Sequence, residues 1–295
     1  MSDRKPLDAT AFGVMLLLSL AWGFQHVAIK LTAPEVSLLM QGAIRSIIAT
    51  LLVFLWARWR GIALFERDGT LVTGTVAGLL FALEFVFIYF GLGHTAASRM
   101  IVFVYLAPVI SAFCLHFLVP GERLGAVQWL GVLVAFAGVV VAFSDGFFAA
   151  RGSTLLGDVC GFVAAILWAA TIVVIRATSL ARIAATKTFF YQIALAALVL
   201  PLASLAAGEQ GVLSLSPFAI ASLAYQSAIA GFASLLAWFW LLRRYFAARL
   251  GVLAFLTPMF GVLAGVVVLS EPLSASFSIA ALLVAAGIVL VNLRR

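Results

Sequence analysis

Residues 93–142 read "GHTAASRMIVFVYLAPVISAFCLHFLVPGERLGAVQWLGVLVAFAGVVVA", and residues 243–292 read "RRYFAARLGVLAFLTPMFGVLAGVVVLSEPLSASFSIAALLVAAGIVLVN". Allowing a one-residue gap, the two stretches can be laid over one another as an internal repeat. The matched positions are Arg99 with Arg249, Pro108 with Pro258, Glu122 with Glu271 and Gly138 with Gly287. Further forward, "SLAWGFQHVAIK" matches "AILWAATIVVIR", which places Trp22 on Trp168 and Lys30 on Arg176. The chain therefore reads as two copies of one architecture.

The composition is that of a membrane protein. Of the 295 residues, 65% are hydrophobic and 10% are charged, and the mean hydropathy is +1.21. Ordinary globular domains are close to half apolar and a quarter charged. Runs of about 20 apolar residues recur, each long enough to cross a hydrocarbon core of about 30 Å. The N-terminal run continues without a small-residue cleavage site, so we interpret it as a retained span.

Cutting the chain at charges, prolines and polar clusters predicts ten transmembrane helices. They cover residues 11–30, 36–57, 70–91, 97–119, 124–144, 154–176, 186–207, 217–242, 248–269 and 274–292. Each half of the repeat holds five spans, and an odd number forces the second half into the opposite orientation. The predicted fold is an all-α polytopic membrane protein made of two inverted five-helix repeats, residues 1–145 and 146–295.

The basic residues predict the orientation. Fourteen of the eighteen Lys and Arg residues fall on one side of the predicted spans. By the positive-inside rule that side is cytoplasmic, and it holds both termini. The net charge of +7 is thus a topology signal rather than a nucleic-acid-binding signal.

Several stretches resemble a known family. "LAWGFQHVAIK", "QGAIRSIIATLL", "LVPGERLGAVQWLGVLVAFAGVVV" and "GDVCGFVAAILWAATIVVIRA" are similar to the paired EamA domains of the drug/metabolite transporter superfamily. Within it, the chain is most similar to bacterial exporters of aromatic amino acids. The resemblance implies inner-membrane efflux of small metabolites, with spans one to four and six to nine around a central cavity and spans five and ten outside them.

Two charges lie inside predicted spans. Arg45 falls nine steps, about 14 Å, from the outer end of span two, and Glu84 falls seven steps, about 10 Å, from the outer end of span three. A lone charge at such depth costs at least about 2.5 kcal/mol, so we expect pairing or a watery cavity. Glu84, alone or with Arg45, is predicted to bind an amino or carboxylate group of the solute. The alternative, favoured for Arg45, is a structural ion pair. The repeat places Ser234 opposite Glu84.

Aromatic and amide side chains supply the other candidate substrate contacts. Trp22 and Trp168 are repeat-matched and lie deep in their spans, and Gln25 and Thr171 follow them at i+3 on the same helical face. An aromatic wall with a few polar groups suits an aromatic zwitterion; ordinary helix packing is the alternative. The weaker candidates are Tyr105, Tyr191, Tyr225, Gln226 and Trp238. His26 is either a proton relay or a satisfied core histidine, while His94 and His116 are expected to be structural.

Glycines and prolines point to packing and motion. "GTVAG" (Gly74, Gly78) and "GVLAG" (Gly261, Gly265) are expected to be helix-packing seams. Pro108 and Pro258 interrupt backbone hydrogen bonding at matched positions, so each permits either a hinge for alternating access or a static bend.

These features predict an exporter of amino acids, aromatic and other hydrophobic ones foremost, acting by alternating access. We expect no cofactor and no metal, since no catalytic cluster or Walker A loop is present. Expected partners are small amino acids and the lipid bilayer, without nucleic acid, and the expected state is a monomer or weak homodimer. One alternative is a multidrug or other metabolite carrier of the same fold, and a second is a membrane enzyme or receptor.

Overall fold

The computed structural model describes residues 6–95, 97–119, 121–142, 144, 154–269 and 275–292. Of the described residues, 81% are helical, and they contain no strand beyond an isolated bridge between Val36 and Val212. Several residues used in the repeat and in the charge count lie outside the described residues: Arg4, Lys5, Arg151, Glu271, Arg294 and Arg295.

The helices follow the predicted apolar runs. In the first half they are α1 (Ala9–Thr32), α2 (Leu38–Trp59), α3 (Leu71–Leu92), α4 (Ala97–Val104), α5 (Ala107–Leu118) and α6 (Ala126–Ala142). In the second half they are α7 (Leu155–Ala177), α8 (Ala185–Ala206), α9 (Pro217–Ala224), α10 (Ser234–Arg244), α11 (Ala247–Leu253), α12 (Leu256–Leu269) and α13 (Ala275–Asn292). A π-helical segment, Tyr225–Ala233, joins α9 to α10.

Seven helical stretches are long and apolar enough to cross a membrane. They are Ala9–Thr32, Leu38–Trp59, Leu71–Leu92, Met100–Leu118, Leu155–Ala177, Ala185–Ala206 and Pro217–Arg244. Three shorter apolar helices, Ala126–Val141, Ala247–Gly261 and Ser278–Asn292, fall on the other predicted spans. The chain is therefore a polytopic membrane protein, whereas the count of ten crossings stays a prediction.

Polar side chains mark where helices begin. The Asp8 carboxylate accepts a hydrogen bond from the backbone N–H of Ala11 at 2.9 Å and so caps α1. The Ser216 hydroxyl accepts one from Ala219 at 3.1 Å and caps α9. Such caps satisfy N–H groups that the first helical turn leaves without a partner.

The matched prolines lie just after matched breaks. α4 ends at Val104 and α5 begins at Ala107, so that Pro108 lies in the first turn of α5. α11 ends at Leu253 and α12 begins at Leu256, so that Pro258 lies in the first turn of α12. Proline is tolerated in a first turn because the missing N–H has no helical acceptor there. Each predicted continuous span is thus two helices.

Helices of the two halves pack against each other throughout. The most extensive contacts pair α6 with α13, α3 with α7, α2 with α8, α3 with α8, and α1 with α12. Glycines allow the close approaches. A Cβ on Gly78 would lie 2.5 Å from the Tyr191 carbonyl oxygen, and a Cβ on Gly131 would lie 2.8 Å from the Gly287 carbonyl oxygen. The predicted seam at Gly74 and Gly78 is confirmed.

Polar contacts gather at the two ends of the helices. At the end where α1 begins, here called the N-face, Tyr245 donates a hydrogen bond to Asp8 at 2.8 Å and Lys187 donates one to Asp68 at 2.8 Å. At the opposite face, the loop of residues 33–37 meets the loop of residues 207–216 through hydrogen bonds to Glu35. At the N-face α8 is therefore joined to the α2–α3 loop, and at the opposite face the loop after α8 is joined to the loop before α2.

Candidate functional site

Glu84 and Arg45 lie at similar depths on neighbouring helices. Arg45 is seven steps, about 10 Å, from the start of α2 at Leu38. Glu84 is eight steps, about 12 Å, from the end of α3 at Leu92. Only 6% of Glu84 and 2% of Arg45 is exposed. Both charged groups are therefore inside the protein and away from both faces.

These two side chains do not satisfy each other. Among the described residues no nitrogen of Arg45 lies within 4.0 Å of a Glu84 carboxylate oxygen. The Oε2 atom of Glu84 and the Nε and Nη2 atoms of Arg45 are buried and have no hydrogen-bond partner in the described part of the chain. The Arg45 guanidinium instead lies over the Phe85 ring, 4.3 Å from its centroid. Donors and an acceptor are thus left available for a ligand.

Aromatic rings surround this pair of charges. Phe85 contacts Phe81 at 4.9 Å and Tyr89 at 6.0 Å between ring centroids, and all three lie on α3. The aliphatic stem of Arg45 runs past Gly231 of the π-helical segment, where a Cβ would lie 3.0 Å from its Cγ. Phe85 was not predicted as a site residue, although its place beside Glu84 in the sequence could have suggested it.

Trp22 is held by the residue that the repeat places opposite Glu84. Its indole N–H donates to the Ser234 hydroxyl at 2.8 Å, and Ser234 donates in turn to the Ala230 carbonyl at 2.6 Å. The Trp22 ring meets Trp238 edge to face at 5.9 Å. The structure thus brings two predicted residues together in a cluster whose polar groups are satisfied internally.

Trp168, the repeat partner of Trp22, stands in a different environment. It contacts Tyr105 edge to face at 5.9 Å, and Tyr105 also lies 6.2 Å from Phe255. Within the described chain the Trp168 indole N–H has no hydrogen-bond acceptor. The Trp22 indole is therefore hydrogen-bonded to another helix of the protein, whereas the Trp168 indole N–H is available to a ligand.

A buried amide network links α1, α2 and α9. The Gln226 amide nitrogen donates to Gln41 at 3.0 Å and to Ser222 at 3.1 Å, and Thr32 donates to Ser222 at 2.7 Å. The Oε1 atom of Gln226 remains without a partner among the described residues. Gln25 is buried one turn beyond Trp22 on α1. Sequence reasoning identified Gln226 but not its partners.

Three predicted residues lie apart from these clusters. The Thr171 hydroxyl bonds to the Leu167 carbonyl of its own helix at 2.9 Å. Tyr191 lies against Gly74 near the N-face, 3.2 Å from the Thr70 hydroxyl. Tyr225 donates to the Ala21 carbonyl at 2.7 Å and lines an open apolar groove of about 500 Å³ between α1 and α9. These contacts favour helix packing at all three positions.

The histidines have structural surroundings where they are described. The His116 ring nitrogen accepts a hydrogen bond from the Leu124 N–H at 3.1 Å, and His94 is exposed beside the Phe90 carbonyl. The side chain of His26 lies outside the described residues. The described residues contain no group of His, Cys, Asp and Glu side chains that could hold a metal ion.

Two loop carboxylates hold their charge firmly. A hydrogen bond from Lys187, supported by Thr70, lowers the pKa of Asp68 to about 2. Hydrogen bonds from the backbone and then the side chain of Ser216 lower the pKa of Glu35. Asp68 belongs to the N-face and Glu35 to the opposite face, so each end has an ionised carboxylate that joins two loops or helices.

Known proteins resemble the chain along nearly its whole length. Residues 10–144 and 155–293 each match the EamA-like transporter family. An uncharacterized transporter of Archaeoglobus fulgidus is 25% identical over 96% of this chain and 97% of its own length. The uncharacterized transporter YoaV of Bacillus subtilis is 21% identical over 93% of this chain and 94% of its own. A crystal structure of a protein 20% identical in sequence shares the fold, with a TM-score of 0.81 over 96% of this chain and 98% of that one.

Proposed function

The chain belongs to the EamA-like transporter family, and from that premise we propose that it exports amino acids, aromatic and other hydrophobic ones foremost, by alternating access around a central cavity. The relatives from Archaeoglobus fulgidus and Bacillus subtilis are uncharacterized transporters, and members of this family are not enzymes.

One observation carries the choice of solute. Glu84 and Arg45 are buried, oppositely charged and not paired with each other, and each has polar atoms without a partner in the described chain. Buried charges that lack partners are costly. An amino acid carries both complementary groups, because its ammonium can donate to Glu84 and its carboxylate can accept from Arg45. Binding a zwitterion would therefore satisfy both residues at once.

Aromatic side chains support the preference for aromatic solutes. Phe85 stacks with Arg45, while Trp168 and Tyr105 form a second aromatic pair whose indole donor is available. Rings that pack edge to face gain about 0.5–1.5 kcal/mol beyond the burial of their area. Trp22, Gln25, Gln226 and Trp238 complete the proposed wall, with Pro108 and Pro258 at the breaks that could move.

The proposed machinery is a pair of inverted five-helix halves, residues 1–145 and 146–295, with ten crossings of a bacterial inner membrane. The two separate family matches and the packing of α6 on α13, α2 on α8 and α1 on α12 support it. We place both termini, and hence the N-face, in the cytoplasm because most basic residues lie at that face.

Proteoliposomes provide the test. Purified protein should take up labelled phenylalanine or tryptophan in counterflow, and Glu84→Gln should lose most of that uptake while expressing normally. Uptake with and without a pH gradient would show whether protons are coupled. Counterflow that is absent for every hydrophobic amino acid, from protein that binds none of them, would refute the proposal.

A multidrug or other metabolite exporter is the second candidate. It is favoured by the stacking of Arg45 on Phe85, because the ring partly offsets the guanidinium charge while the Glu84 carboxylate has no such contact. A buried carboxylate of this kind would select cations. Uptake of a labelled lipophilic cation in the presence of unlabelled amino acids distinguishes the two, since a cation carrier would take up the cation and amino acids would not compete with it.

A further inference from the structure

A buried ion pair closes the N-face between the two halves. Glu122 lies in the connection between α5 and α6, and Arg176 lies in the last turn of α7. Their side chains form a salt bridge with 0% and 2% exposure respectively. Because both ions are withdrawn from water, the pair is stable only while its partners remain in place.

Backbone groups of the α10–α11 connection complete this cluster. Arg176 donates to the carbonyl of Leu242 and, at 3.0 Å, to that of Tyr245. Glu122 accepts a hydrogen bond from the Ala247 N–H at 3.2 Å. The pair therefore joins the N-face ends of α5, α7, α10 and α11, and Glu122 comes from the first half whereas the other residues come from the second.

At the opposite face, the residue matched to Arg176 is not part of such a cluster among the described residues, and Glu271, the match of Glu122, lies outside them. The repeat matches Arg176 with Lys30 at the far end of α1. Lys30 is exposed, and it makes no ion pair with another described residue. Other contacts do recur at both faces. Lys187 of α8 is tied to Asp68 in the α2–α3 loop at one face, and at the other face Glu209, in the loop after α8, accepts from Leu39 in the first turn of α2 at 3.0 Å.

This difference distinguishes contacts that can persist during transport, here called the scaffold, from a contact that must break, here called a gate. A contact present at both faces can persist while the halves rock, but a contact present at one face only must break when that face opens. We propose that the Glu122–Arg176 cluster is the N-face gate of the transport path, and that the structure is the state closed on this side. The inference rests on the alternating-access mechanism proposed above and is independent of the solute.

Repeat-matched cysteines can report on the gate. Ile175 and Ile29 precede Arg176 and Lys30, match each other in the repeat and are 5% and 8% exposed. With Cys114 and Cys160 replaced by alanine, Ile175→Cys or Ile29→Cys is introduced singly. The rate of modification by a water-soluble maleimide is then measured in detergent without any solute.

Removing the pair should open one face and not the other. In Glu122→Gln or Arg176→Met, we expect Ile175→Cys to react about tenfold faster or more, with Ile29→Cys unchanged or slower. Lys187→Met, which breaks a scaffold ion pair, is the matched control and should change neither rate. Arg176→Lys keeps the charge but places all its donors on one atom, so Ile175→Cys should react at an intermediate rate in this variant. It provides the test if Glu122→Gln and Arg176→Met fail to fold.

Two outcomes would overturn the gate. The first is an unchanged Ile175→Cys rate in a monodisperse Glu122→Gln or Arg176→Lys protein. The second is an equal acceleration at both reporters, which would indicate general loosening. Because no solute is present, these results stand whether or not amino acids are transported.

Discussion

Replacing Glu84 with glutamine should weaken transport without weakening the fold. The substitution preserves shape and removes a buried charge whose Oε2 atom has no partner among the described residues. A hydrogen bond to a charged group contributes about 1.5–3 kcal/mol. Its loss corresponds to a half-saturation concentration about 10- to 150-fold higher, at about 1.4 kcal/mol per factor of ten.

The effect on stability should have the opposite sign. A lone charge inside the membrane costs at least about 2.5 kcal/mol, and a neutral amide costs less. The apparent melting temperature of Glu84→Gln should therefore equal or exceed that of the parent protein. Glu122→Gln is the matched control, because the same change at a carboxylate paired with Arg176 breaks a buried ion pair and costs about 3–5 kcal/mol.

Two measurements decide the matter: counterflow of labelled phenylalanine over a range of concentrations, and thermal unfolding in detergent followed by size-exclusion chromatography. Unchanged half-saturation in a normally expressed Glu84→Gln protein would refute a role in binding. If the melting temperature of Glu84→Gln fell as far as that of Glu122→Gln, Glu84 would be a structural ion whose charge stabilises the fold, and not an unpaired charge kept for the solute.

Three further outcomes concern stability. Ser234→Ala should cost about 0.5–1.5 kcal/mol because it removes the acceptor of the half-buried Trp22 N–H; in a Trp22→Phe background the same change should cost almost nothing, as a double-mutant thermal series would show. The pKa of Asp68 is lowered from 3.8 to about 2, so its ion pair stabilises the protein above pH about 4 and is lost as the pH falls toward 2. Melting curves from pH 6 to pH 2 should show this loss in the parent and not in Asp68→Asn. Gly78→Ala should reduce the folded yield, since its Cβ would meet backbone at 2.5 Å, whereas Gly13→Ala, with nothing within 4 Å, should not; fluorescence-detected chromatography compares them.

The positions of the helices were largely predictable. Long apolar runs have few alternatives to a helix in a membrane, and every predicted span falls on helical residues. The repeat alignment also predicted matched bends or hinges at Pro108 and Pro258, because proline removes the same hydrogen bond in both copies. It did not predict that each break divides its span into two helices.

The orientation of each helix about its own axis was harder to predict. A helix that is apolar all round carries no amphipathic signal to show which face turns inward. For this reason the sequence could not show that Tyr191 lies in a packing seam and Tyr225 in an open groove, although both were predicted to contact the solute. The sequence predicted that Arg45 and Glu84 lie at similar depths, as they do. It could not predict that Arg45 stacks on Phe85, because residue spacing does not determine side-chain positions.

The π-helical segment Tyr225–Ala233 sets the rotational phase of everything that follows it in the same span. Its i→i+5 bonding accommodates one residue more than regular α-helical bonding would. Each residue of an α-helix turns the chain by about 100°, so winding the same residues as a regular α-helix, with none deleted, would swing Ser234 about a quarter turn from Trp22. The aligned helix of the other half, α3, has no such wide turn between Leu71 and Leu92. Corresponding helices in the two copies are therefore not equivalent. Replacing one with the other would misalign the side chains even at positions where the residue types are identical.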